Sequence, residues 1–178
     1  MFDSIDKVMI FIDGSNLFHS CREFRRERQI NLKINYEKLA RVLSSGRKLK
    51  RVYYYYGSIN PFDESEMEKQ TKFYHALEHI NNFHIVKKPL RRRGHDTVEK
   101  GIDVALVTDM LTLGFNKAYD TAIIVSGDGD YIHAVDQLKA LGMSVEVAIF
   151  ENVLSPELKR AVDKCIILDN IYEDIRMD

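Results

Sequence analysis

The chain has 178 residues, 45% of them hydrophobic and 30% charged, with a formal net charge of −1 at pH 7. That profile excludes a disordered or fibrous chain, and the near-neutral balance gives no molecule-wide field for a polyanion. One domain over residues 1–178 is expected, large enough to bury a core without cross-links.

The chain opens MFDSIDKVMIFIDGSN, where residues 8–12 form an apolar run rich in β-branched side chains that leads into a polar turn. Such a run predicts a strand buried on both faces, too short for a membrane span and unlike a signal peptide. A helix is expected over 16–27 and another over 36–44, capped by Asn35. The sequence VYYYY at 52–56 predicts a second strand, its tyrosines packed beneath helices rather than displayed for base stacking. Residues 64–82 give the longest helix, with Met67, Phe73, Tyr74, Leu77 and Ile80 on its apolar face. A third strand follows at 83–86, then a basic stretch from Lys87 to His95 that Pro89 and Gly94 mark as a loop. Helix 103–115 carries Leu106, Met110 and Leu113 on one stripe. Strand 121–125 and helix 131–141 come next, the helix stopped by Gly142. Strands 144–149 and 165–168 complete the set. Strands alternating with helices of this length predict an α/β domain with a mostly parallel sheet and right-handed crossovers. In such sheets, sites form beyond the carboxyl ends of the strands.

Two strand ends carry acids. The first finishes Ile12-Asp13-Gly14-Ser15-Asn16, the fourth Val125-Ser126-Gly127-Asp128-Gly129-Asp130. Either motif alone reads as a turn. Two of them at one edge bring like charges together, which natural sequences tolerate where a cation or a proton resolves the repulsion. Asp103 in KGIDVAL joins them, at or near a helix start where it can also serve as an N-cap. Asp109, six residues on, is rotated away from it and reaches the same region less directly. A ligand set of carboxylates and Asn selects hard cations, Mg²⁺ or Mn²⁺, and suits phosphodiester hydrolysis. The six histidines make no zinc set, since His75 and His79 lack the HExxH pattern. Cys21 and Cys165 have no metal or redox spacing, which fits a reducing, cytoplasmic setting.

The motifs IDGSN at 12–16, KGIDVALVTDM at 100–110, YDTAIIVSGDGDY at 119–131 and LKALGMSVEV at 138–147 resemble the NYN domain family, a branch of the PIN-like nucleases, in order, spacing and context. The resemblance implies a three-layer, doubly wound α/β/α fold and a Mg²⁺- or Mn²⁺-dependent ribonuclease, with an endoribonuclease expected. It maps Asp13 onto the family's first-strand acid and Asn16 onto its polar neighbour. Asp103 falls on the helix-start acid, Asp128 and Asp130 on the acids after the fourth strand, and Ser126 on a hydroxyl that orients a ligand or binds phosphate. These four aspartates are the expected catalytic and metal-binding set. Asn16, Ser126, Lys100, Arg91, Arg92 and Arg93 are the expected contacts to single-stranded or structured RNA, the arginines by neutralising phosphates. A catalytically weak or inactive RNA-binding or regulatory module is the alternative. An aspartate-nucleophile phosphatase is disfavoured, because Ser15 stands where its second acid is needed.

Overall fold

The computed structural model describes residues 5–57, 64–88, 91–93, 96–98 and 101–178, with backbone alone for 64–66, 88, 91–93 and 96–98. Strand β1 (Lys7–Asp13) runs straight into helix α1 (Gly14–Arg28), followed by α2 (Tyr36–Ser44) and β2 (Lys48–Gly57). Helix α3 (Glu64–Glu78) leads to β3 (Phe83–Lys88), a short pair β4 (Arg91–Arg93) and β5 (Asp96–Val98), and helix α4 (Ile102–Phe115). Then come β6 (Thr121–Val125), α5 (Ile132–Ala140), β7 (Ser144–Ile149), α6 (Pro156–Ala161), β8 (Lys164–Ile167) and α7 (Tyr172–Ile175).

Six strands form one parallel sheet in the order β3-β2-β1-β6-β7-β8. The alternation of β1 assigns its two faces. Val8, Ile10 and Ile12 pack with Leu17, Cys21 and Phe24 of α1, Leu39 and Leu43 of α2, and Leu77 of α3. Met9 and Phe11 pack instead with Leu106 and Met110 of α4, Val135 and Leu138 of α5, and Leu158 of α6. Helices therefore cover both faces, and the fold is the expected three-layer, doubly wound α/β/α arrangement. The tyrosine run obeys the same alternation: Tyr54 and Tyr56 join the first cluster, Tyr53 and Tyr55 the second. No helix among the described residues is long and apolar enough to cross a membrane.

Several boundaries differ from the sequence expectation, each for a local reason. Helix α1 starts at Gly14 rather than residue 16, because Asp13 is itself the cap and accepts from the Asn16 amide at 3.0 Å. Helix α3 stops at Glu78, short of 82, where the chain turns through Asn82 in the left-handed region (φ 69°) to enter β3. A 3-10 turn over Gly129–Tyr131 precedes α5, delaying its start to Ile132. The basic loop expected after residue 87 contains antiparallel β4 and β5, pairing Arg91 with Val98 and Arg93 with Asp96. The short helices α6 and α7 were not expected, being too short to generate a periodic apolar stripe.

Candidate functional site

The strand order reverses direction between β1 and β6, each of which proceeds from the sheet by a different face. Such a switch point opens a crevice at the carboxyl ends of its two strands. Asp13 ends β1 there and is buried, at 5% exposure, opposite Tyr55 of β2. Its Oδ1 caps α1, and its Oδ2 accepts from the Tyr131 hydroxyl at 3.0 Å. The same hydroxyl lies 3.3 Å from Asp103 Oδ1. Two expected site acids, from β1 and from the first turn of α4, thus meet at one phenol.

Close backbone packing makes this junction possible. A side chain at Gly14 would press against the Tyr55 carbonyl and the Tyr54 ring. One at Gly127 would collide with the Val153 carbonyl. Both positions tolerate only the smallest residue.

Asn16 braces the two acid motifs, because its Oδ1 accepts from the Gly127 amide at 3.0 Å. Ser126 is fully buried, and its Oγ accepts from the Asp128 amide at 3.3 Å. Asp128 caps the following turn, accepting from the Asp130 amide at 3.0 Å, while Asp130 is exposed. Asp13, Ser15, Asn16, His19, Ile102, Asp103 and Val153 line a cleft of about 280 Å³. Ser126, Asp128 and Asp130 stand on the adjoining loop but are not among its lining residues. Among the described residues, no three carboxylate, histidine or thiol groups are close enough to hold one ion together.

Asp103 is not the N-cap of its helix. That place falls to Gly101, whose left-handed backbone (φ 86°) makes the turn without a side-chain cap. In the first turn, Asp103 still benefits from the positive end of the helix dipole. Asp109 lies deeper along α4 and accepts from the Tyr55 hydroxyl at 3.0 Å. It does not line the cleft; it touches Tyr55, the cross-strand neighbour of Asp13. Burial first, and then the negative carboxylates beside them, push both phenols far above the usual tyrosine range: Asp13 and Asp103 for Tyr131, Asp109 for Tyr55. Both therefore remain protonated donors. Sequence reasoning missed His19, which lines the cleft, and Tyr131. A polar-tipped aromatic directly after SGDGD was the signal for Tyr131, since a buried phenol needs a partner.

Lys100 lies outside the described residues, as do the side chains of Arg91, Arg92 and Arg93, whose backbone forms β4. Arg26 pairs with Glu23 at 2.6 Å on α1, and Arg47 grips Glu146 at the opposite edge of the sheet.

The donors facing the cleft suit a hard cation. Two carboxylates and an amide supply oxygen donors, with the His19 imidazole the one nitrogen-bearing ring among the described lining residues, and Mg²⁺ commonly takes one or two carboxylates while keeping several waters. The doubly wound parallel sheet, with acids at its switch point, agrees with a PIN-like nuclease fold. The chain belongs to the NYN domain family, whose model matches residues 7–169. It is 27% identical to the Low amplitude and bright protein LabA of Synechococcus elongatus, over 93% of this chain and 85% of that one. A crystal structure of a protein of unknown function from Vibrio parahaemolyticus shares the fold, with a TM-score of 0.79, 24% identity and 99% of both chains covered.

Proposed function

We propose that this protein is a metal-dependent ribonuclease acting at the carboxyl edge of the sheet. The observation that carries the reading is the convergence of Asp13 and Asp103 on the Tyr131 hydroxyl at the topological switch point. Asp13 and Asp103 would hold Mg²⁺ or Mn²⁺, with Asp128 and Asp130 contributing from the adjoining loop. When bound, the ion supplies positive charge to the phosphate and makes water a better nucleophile at neutral pH.

The remaining roles belong to the chain. Tyr131 fixes the rotamers of two acids with one hydroxyl. Asn16 locks the two loops in register through Gly127, and Ser126 supports the backbone of Asp128. Lys100 and Arg91, Arg92 and Arg93 neutralise the phosphates of the bound strand.

A catalytically weak RNA-binding module is favoured by one feature: Asp128 caps its own turn and does not line the cleft. Incubation with single- and double-stranded RNA and DNA in Mn²⁺, Mg²⁺ or EDTA separates the readings. The ribonuclease cuts RNA with metal and not with EDTA, and Asp128→Asn lowers the rate by about a hundredfold or more. Binding of RNA without metal-dependent cutting would establish the module instead.

A further inference from the structure

A second, larger cleft of about 580 Å³ adjoins the acidic one and shares Ser15 and His19 with it. It lies on the other side of β1, over the face that Tyr54 and Tyr56 present to α1, α2 and α3. Its walls are aromatic, with Phe18, Tyr36, Tyr56 and Phe73 among them. Tyr36 packs edge-on against Phe73, and Tyr56 stacks on Tyr74. The charged residues that line it are Arg25, Lys33 and Lys69, with no Asp or Glu among the described lining residues. Nothing in the roles given to the aspartates uses this cavity.

Aromatic walls with cations among the described lining residues match one ligand chemistry well: a planar nucleobase carrying a phosphate. Bases stack on aromatic faces whatever their sequence, and neighbouring cations hold the backbone. Single-stranded RNA offers such bases because they can be splayed out of the strand. The volume lies within the usual range for ligand pockets and leaves room for the sugar. We propose that this cavity receives an unpaired base of the RNA strand whose adjacent phosphate lies at Asp13 and Asp103. The shared Ser15 and His19 form the sill the strand crosses. The inference rests on the ribonuclease reading and extends it: cleavage is directed to single-stranded segments, because a base locked in a duplex cannot enter.

The test uses short single-stranded RNAs carrying an abasic site at each position in turn, with adenosine monophosphate as a separate probe. Affinities are measured with the full-length Asp103→Asn chain in Mg²⁺, and cleavage with the wild type in Mn²⁺. One abasic position should weaken binding by about tenfold, the usual scale of one base stacked on an aromatic platform. That penalty should disappear in the additional variant Phe18→Ala, which removes an exposed ring (56% exposed) with little risk to folding. Gln70→Trp, which fills the cavity from α3, should abolish it too. Cleavage by the wild type with a flat abasic profile would overturn the pocket and leave the nuclease standing. Binding of the monophosphate, blocked by Gln70→Trp, with a flat abasic profile would make the site one for free nucleotide and also overturn the proposal. Failure to bind or cut any RNA would overturn both readings.

Discussion

Acidic residues gather at both edges of the sheet, but they are held differently. At the amino edge, Asp6 and Glu146 meet the guanidinium of Arg47, which grips Glu146 with two bonds of 2.8 and 3.0 Å and lies 3.6 Å from Asp6. At the carboxyl edge, Asp13 and Asp103 meet the hydroxyl of Tyr131. A guanidinium positions carboxylates and cancels their charge. A phenol kept protonated by its surroundings positions them and contributes no charge. The amino edge is thus built as a clamp between β1, β2 and β7. The carboxyl edge is built to present acids in fixed geometry.

The two ends of the sheet should differ most at the acids themselves. Asp103→Asn and Asp13→Asn should each lower metal-dependent RNA cleavage by about a hundredfold or more, read in a steady-state assay. The urea midpoint of Asp103→Asn should move little by comparison, whereas Asp13→Asn also gives up the acceptor for either the α1 cap or the Tyr131 hydroxyl. Arg47→Met should do the reverse. It strands Glu146, whose side chain is 9% exposed, and should cost about 3 kcal/mol in urea unfolding. Cleavage per folded molecule should be unchanged.

Tyr131→Phe sharpens the contrast, because it deletes the hydroxyl and nearly nothing else. The two acids lose the single proton they share, so stability should fall by about 1–2 kcal/mol and the metal dependence of cleavage should shift to higher concentration. The same variant has a pH signature. Tyr131 is held above its unfolded pKa of about 10, so its contribution is complete below that pH and is lost as pH rises through the folded value. Wild-type stability should therefore decline on the alkaline side, and Tyr131→Phe should decline less steeply. The smallest effect is expected at β4. Replacing Arg91, Arg92 and Arg93 with alanine should flatten the salt dependence of RNA binding by roughly 0.7 in slope per lost phosphate contact. Base preference should hardly change.

Sequence alone made the sheet legible because its central strands are continuous apolar runs, and β1 and β6 sit between unmistakable turn motifs. Asn35 was readable as a cap, and it does accept from the Lys38 amide. Less legible were features set by contacts distant in sequence. The hydroxyl of Tyr131 reaches Asp13 across 118 positions, and no local pattern announces that bond. Asp103 reads as a cap from its spacing, yet Gly101 takes the cap by backbone conformation, which composition does not reveal. The tyrosine run reads as core, and Tyr54, Tyr55 and Tyr56 are buried. What the run could not disclose is that its alternate rings also wall a cavity, because that depends on how α1 and α3 stand over β2.

The carboxyl edge is proposed as a metal-dependent ribonuclease site and the amino edge as structural. The most direct measurement is cleavage of one single-stranded RNA by wild type, Asp103→Asn and Arg47→Met, each assayed in Mn²⁺ and in EDTA at a temperature where all three are folded. Cutting by wild type and Arg47→Met in Mn²⁺ alone, with Asp103→Asn reduced by about a hundredfold or more, is the expected result. Equal cutting by Asp103→Asn and wild type, or cutting that persists undiminished in EDTA, would contradict it.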